Sequence, residues 1–394
     1  MEEAQTQYPD ALDDQQEISQ AVEVLTAILR PTLLCLSHLR WGFVYQRPQH
    51  LMSRFTLDYQ VLFFEEPLPS NRTDAWLEEL VQASGVTVLV PHIPAGLTAR
   101  AVNRIQRELL DGYLAEHPPL ELLLWYFTPM SLAFTEHLSP QVTVFDCMDE
   151  LSAFKGAPPD LLDKERRLLA RADVVFTGGH SLWEAKRGQH PNVHSMPSSV
   201  DIEHFSKARQ VLAEPEDQRA IGYPRLGFFG VIDERFDIEL LANLAVEHPQ
   251  WQFVLIGPVV KIDVAMLPRL SNIHYLGGKA YAQLPEYLSG WDVALMPFAI
   301  NESTRFISPT KTPEYLAGGC PVVSTPIIDV VRTYGNSPVV RIAGVAEDFA
   351  RAIKTALAYR NDLDALYRHA DEALQGMSWD HTWTNIKEQI ECLK

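Results

Sequence analysis

Four groups of residues in this chain have types and spacing able to do chemistry. The first is Ser308-Pro309-Thr310-Lys311, followed by Glu314. Ser308 can cap a helix whose first residue is Pro309, and free N–H groups at a helix start attract an anion. Lys311 adds a full positive charge one turn in, and Glu314 falls three residues on, on the same face. A cation for phosphate beside a carboxylate for sugar hydroxyls is what a nucleoside diphosphate would require. The same residues also fit a capped surface helix with an i,i+3 ion pair. The second group is Asp146 and Asp149 in Phe145-Asp146-Cys147-Met148-Asp149, where a carboxylate can act as a general base. Asp149 also precedes a polar stretch and equally fits a turn or cap residue. The third is Trp41, Arg47 and His50, close together after a buried strand. The fourth is Gly230, closing the strand run Arg225-Leu226-Gly227-Phe228-Phe229-Gly230, with Arg235 five residues on, able to bind phosphate oxygens bidentately.

These groups need elements to hold them. Short runs apolar on both sides occur at 32–36, 61–64, 86–90, 120–127, 142–146, 173–177 and 192–197, and again at 225–230, 251–256, 272–277, 293–297, 321–325 and 339–342. Such runs are expected of buried parallel strands. Helical stretches separate many of them, at 49–55, 97–117, 161–172, 281–288, 346–359 and 363–374, with a last helix opened by Ser378-Trp379. Strands alternating with helices predict doubly wound parallel sheets, with ligands beyond the carboxyl ends of the strands. All four groups fall at such ends. Residues 1–15 read as a loose polar tail and 18–29 as a leading helix.

Length and composition narrow the function. At 394 residues the chain can hold two α/β domains, each with its own core. A net charge of −18 argues against nucleic acid as a partner. It gives no overall attraction to anionic lipid, leaving room only for peripheral membrane association through a local basic patch. The cysteines (Cys35, Cys147, Cys320, Cys392) are far apart and form no C-x-x-C pair. They read as thiols in a reducing compartment and not as a metal site, so no metal is expected. The acidic N-terminus lacks a secretory signal, no run reaches the length of a membrane span, and a cytoplasmic location is expected.

The order strand, polar loop, Ser-Pro-x-Lys, Glu, Gly-Gly, Pro-Val-Val-Ser-Thr resembles the donor-binding segment of GT-B glycosyltransferases, especially the group 1 family of retaining enzymes that builds bacterial polysaccharides. Ser198-Ser199-Val200-Asp201-Ile202-Glu203-His204-Phe205 is similar to that family's interdomain linker, and the pattern W-x(5)-R-P-Q-H-L at 41–51 is similar to a cleft loop in some of its members. The Lys311-x-x-Glu314 spacing also resembles the enzyme that adds glucuronate to xanthan intermediates. The resemblance implies two Rossmann-like domains with a cleft between them: an acceptor-binding domain at 31–205 after the leading segment 1–30, a donor-binding domain at 206–375, and a helix at 376–394 crossing back. It implies donor binding by Gly230, Arg235, Ser308, Thr310, Lys311 and Glu314, with Gly230 bare so that phosphates approach and Glu314 on the ribose. It implies Asp149 or Asp146 as base, Asp149 ahead of Asp146, and Trp41, Arg47 and His50 facing the acceptor or the cleft. Lys279 and Tyr281 would flank the base of the nucleotide. The family's first glutamate would fall at Phe306, and Glu302 lies nearby out of register. The expected activity is metal-independent transfer of a sugar from a nucleotide sugar, UDP- or GDP-linked, to a sugar, lipid-linked or small-molecule acceptor, with no cofactor. The alternatives are an epimerase of the same fold and an inactive sugar-nucleotide-binding protein.

Overall fold

The computed structural model describes residues 30–210 and 212–394, so the expected tail and leading helix lie outside the described residues. The first lobe is built on a nine-stranded sheet: β1 (Thr32–Leu36), β2 (Gln60–Phe64), β3 (Leu68–Ser70), β4 (Trp76–Val81), β5 (Thr87–Pro94), β6 (Leu122–Tyr126), β7 (Val142–Cys147), β8 (Val174–Thr177) and β9 (Val193–Ser195). The order is β3-β5-β2-β1-β6-β7-β8-β9, with β4 paired to β5. All pairings are parallel except β4 with β5. The second lobe holds β10 (Arg225–Phe229), β11 (Gln252–Ile256), β12 (Ile273–Gly277), β13 (Val293–Met296), β14 (Val322–Ser324) and β15 (Val340–Ile342), all parallel in the order β12-β11-β10-β13-β14-β15.

In each sheet the order reverses beside the first strand of the lobe. A crevice must open there, because the loops leaving the two central strands diverge. The loops after β1 and β10 are the ones that carry Trp41 and Arg235. The central strands are buried on both faces, as in Thr32–Leu36 where every residue is buried. Helices cover both faces, and the first sheet accordingly has one apolar cluster on each side.

The lobes are joined at two places. Strand β9 ends at Ser195, and Val200, Phe205 and Ala208 belong to the core of the second lobe, so that core begins a few residues ahead of the expected boundary at 205. The last helix, Trp379–Glu391, packs on helix Arg47–Phe55 and places Trp379, Ile386 and Ile390 in the first lobe's core.

The antiparallel strand β4 was not expected. Its run Trp-Leu-Glu-Glu-Leu-Val leaves Leu80 and Val81 exposed, so no clean alternation marks it. It is held as an edge hairpin. Gly85, at φ +85, makes the turn, and Trp76 stacks on His92 across the pair at 4.4 Å.

Candidate active site

Several hollows lie between the lobes, and three of them share lining residues around Lys311. One of about 590 Å³ is walled by the first-lobe loop 41–46 on one side and by Gly230, Gly257, Tyr281, Thr310, Lys311 and Glu314 on the other. A second, of about 550 Å³, lies between Met148, Asp149 and Phe154 of the first lobe and Asp233, Arg235 and Lys261 of the second. A narrow chamber of about 90 Å³ separates them, bordered by Asp149, Arg235, Ser308, Thr310 and Lys311.

Lys311 occupies the centre. The helix that carries it runs Lys311–Ala317, so it begins later than Ser308-Pro309 suggests. Thr310, not Ser308, stands at its N-cap, and no side chain caps it. Pro313 sits in the first turn without an N–H, and the Glu314 N–H already bonds to the Thr310 carbonyl at 3.2 Å. Few free amides therefore remain, and the positive character of this spot comes from the Lys311 ammonium. Gly230 makes room for the lysine stem: at φ +148, an added Cβ would lie 2.0 Å from Lys311 Cε. The bare glycine thus admits a side chain of its own lobe. Gly230 also borders the 590 Å³ hollow itself. Gly257 is bare for a related reason, since a Cβ there would meet the Gly230 carbonyl oxygen at 1.8 Å.

Burial lowers the Lys311 pKa. Glu314 opposes that shift, and Arg235 adds to it. Burial pushes the Glu314 carboxyl up, against the pull of Lys311. Among the described residues no carboxylate oxygen comes within 4.0 Å of the Lys311 ammonium, so the i,i+3 ion pair does not form. Lys311 thus borders the cleft without a salt bridge, while Glu314, Asp233 and Asp149 favour its charged form from farther off.

Asp149 follows β7 at the far side of the narrow chamber. Burial raises its pKa, while Arg235, Lys311 and Arg47 pull it back. Its loop is pinned from below, where the buried Lys186 ammonium bridges Glu150 at 2.7 Å and Glu165 at 2.5 Å. Asp146 is different. It is fully buried and locked to Arg47, whose Nη2 lies 2.9 Å from Oδ1 and whose Nε lies 3.0 Å from both carboxylate oxygens. Arg47 Nη1 also donates to the Met196 carbonyl at 2.7 Å. A carboxylate held this way borders none of the three hollows and cannot reach an acceptor, which removes Asp146 as a base. Arg47 is likewise a structural partner, although it borders the narrow chamber.

His50 also departs from expectation. Its ring stacks on Trp379 at 4.6 Å and meets Tyr45 edge-on at 4.7 Å. Burial, with Arg54 and His204 nearby, holds it well below the usual imidazole range. It is a neutral packing group that seats the last helix, not a cleft residue. Trp41 packs edge-on against Phe63 while lining the largest hollow. Arg235 is clamped by Asp233, Nη2 to Oδ2 at 2.7 Å and Nε to Oδ1 at 2.9 Å, yet it still borders the narrow chamber. Ser308 and Thr310 both border that chamber. Lys279 is paired with Asp217 at 2.6 Å, and Tyr281 stacks on His204 at 4.3 Å. Phe306, at the place of the family's first glutamate, packs against the first lobe's apolar cluster, and Glu302 is exposed on a separate surface. Gln46 lies within the unspecified x(5) of the pattern at 41–51 and carries no signal of its own in the sequence. Its neighbour Arg47 was the conspicuous residue, and only the folded loop shows that Gln46 touches all three hollows. Among the described residues no group of three or more His, Cys, Asp or Glu side chains could hold a metal ion, and no helix is long and apolar enough to cross a membrane.

Two parallel-sheet lobes with the chemistry between them define the GT-B architecture, and solved structures share it over most of the chain. Sucrose-phosphate synthase from Thermosynechococcus elongatus superposes with a TM-score of 0.68 at 16% identity, covering 92% of this chain and 99% of that one. HepE of Anabaena, solved with UDP and glucose, superposes with a TM-score of 0.67 at 14% identity, covering 92% and 100%. At these identities the likeness speaks for the fold. Residues 223–359, within the second lobe, match the family described as Glycosyl transferases group 1. A Bacillus subtilis (strain 168) protein provisionally named teichuronic acid biosynthesis glycosyltransferase TuaH is 28% identical over 218 residues. That match spans 51% of this chain and 55% of the relative.

Proposed function

We propose that this chain transfers a sugar from a nucleoside diphosphate sugar, UDP- or GDP-linked, to an acceptor hydroxyl. The observation that carries the reading is the Lys311 ammonium, threaded over Gly230 into the interlobe cleft with no carboxylate within 4.0 Å among the described residues. The donor lies in the larger hollow. Its diphosphate meets Lys311, and its ribose hydroxyls meet Glu314. As the bond between the anomeric carbon and the diphosphate oxygen breaks, the electron pair moves onto the phosphate, and Lys311 stabilises the growing charge in a site of low dielectric. Arg235 lends a weaker field, because Asp233 already neutralises much of it. The acceptor enters from the hollow beside Asp149. Asp149 takes the proton from its hydroxyl, and its raised pKa makes it a stronger base than an exposed aspartate.

The acceptor is a sugar-bearing molecule. The partial match to TuaH supports a growing polysaccharide, free or lipid-linked, as its class. The charge on Lys311 supports a metal-independent reaction. The unpaired cysteines support a reducing, cytoplasmic setting. The test is to incubate the protein with UDP- and GDP-hexoses, with and without sugar acceptors, in the presence of EDTA. Release of nucleoside diphosphate only when acceptor is present is the expected result. Interconversion of donor sugars without release would overturn the reading.

A further inference from the structure

Loop 41–46 separates the first lobe from the cleft, and its last residue holds a singular position. Gln46 is the only described residue that borders all three hollows. Thr310 and Lys311 are shared by the donor hollow and the narrow chamber. Asp149 and Arg235 are shared by the narrow chamber and the acceptor hollow. Gln46 therefore stands where the bond to the leaving group and the bond to the acceptor must exchange.

Its backbone is fixed. It is extended, at φ −152 and ψ −159, and forms the N-cap of helix Arg47–Phe55. Its N–H donates to Gln49 Oε1 at 3.0 Å, and its carbonyl accepts from the His50 N–H at 3.1 Å. The next residue, Arg47, is tied to Asp146 and to the Met196 carbonyl. Gln46 and Gln49 pair as a capping box at the start of this helix, and the NH2 group of the Gln46 carboxamide makes no hydrogen bond among the described residues. A carboxamide offers two donors and an acceptor without charge. It can grip vicinal sugar hydroxyls without competing with Lys311 for the diphosphate or neutralising Asp149.

Resting on the transfer reading above, we propose that Gln46 is a positioning residue for the transferred sugar. Its carboxamide hydrogen-bonds hydroxyls of the hexose while the anomeric carbon passes from diphosphate to acceptor. The buried Arg47–Asp146 pair then has a purpose at the site: it holds the residue beside it in register.

The test uses the full chain with Gln46→Ala and Gln46→Ser. Serine is a strong N-cap residue, so Q46S keeps or improves the helix start but cannot reach the junction. Thermal unfolding, affinity for UDP or GDP, and kcat with the best donor are measured for each. Both variants should bind the nucleoside diphosphate within about twofold of wild type. Both should lose about ten- to a hundredfold in kcat, the loss expected for a hydrogen bond made to the reacting sugar. Q46S with wild-type kcat would overturn the inference and leave Gln46 as a cap alone. If the wild-type chain bound neither nucleotide and turned over no donor, the transfer reading would fall and take this inference with it.

Discussion

Replacing Arg47 with methionine removes a guanidinium that is 1% exposed while leaving the Asp146 carboxylate, which is 0% exposed, where it is. The carboxylate then loses contacts at 2.9 and 3.0 Å, and the Met196 carbonyl loses a donor at 2.7 Å. Breaking a buried pair from one side costs about 3–5 kcal/mol, because the remaining charge is stranded. For a lobe of this size that corresponds to a fall in melting temperature of about 6–20 °C. The double variant R47M/D146N strands no charge and should recover much of the loss. The assay is thermal and urea unfolding of wild type, both single variants and the double, read as a double-mutant cycle. Strong coupling is expected, with the double variant more stable than R47M. Additive effects, or an R47M protein as stable as wild type but inactive, would refute the structural role of the pair and restore Asp146 and Arg47 as substrate-facing groups.

Other expectations follow from the same contacts. Asp149→Asn should slow transfer by about 10²–10⁴-fold with little change in nucleotide affinity. In the wild type, burial raises the Asp149 pKa, so the rate should fall with acidification from a pH above that of an exposed aspartate, and a pH profile of kcat checks this. Gly230→Ala meets both a φ of +148 and a Cβ placed 2.0 Å from Lys311 Cε, so it should lose about 1–3 kcal/mol of stability and displace the lysine. Its effect on nucleotide affinity should not add to that of Lys311→Met. Asp329 of the second lobe is 4% exposed and accepts the Ser181 N–H of a first-lobe helix at 2.9 Å, beside an Arg332–Glu184 pair at 2.8 Å. Asp329→Ala should cost about 1 kcal/mol and open the lobes, seen as a larger radius of gyration in small-angle scattering.

Much of this was legible in the sequence where the signal was local. The buried runs at Thr32–Leu36 and Val293–Met296 declared themselves by apolar content, and Lys311 with Glu314 by spacing along one helix. The start of that helix was misread because Ser308-Pro309 is a good cap pair in isolation, while the folded loop uses both residues to line the chamber. Arg47 and Asp146 both looked reactive. What neutralises them is each other, 99 residues apart, and no local pattern reports such a pair. His50 was misplaced for the same reason, since its stacking partner Trp379 comes from the last helix. Helix Ile238–Glu247, Ile-Glu-Leu-Leu-Ala-Asn-Leu-Ala-Val-Glu, was passed over because apolar residues on most of its sides blur the helical period. Gln46 was hidden by its chemistry, since a neutral amide gives no sign of function until its surroundings are known.

Lys311 gripping a diphosphate between the lobes is the contact on which the proposed transfer depends. The most direct measurement is the dissociation constant of UDP and of GDP for wild type and for Lys311→Met, by titration calorimetry at neutral pH and low salt. A charge-assisted hydrogen bond is worth about 1.5–3 kcal/mol, so affinity for the preferred nucleotide should fall by about ten- to a hundredfold while the melting temperature holds or rises. An unchanged dissociation constant in a folded K311M protein would contradict the account.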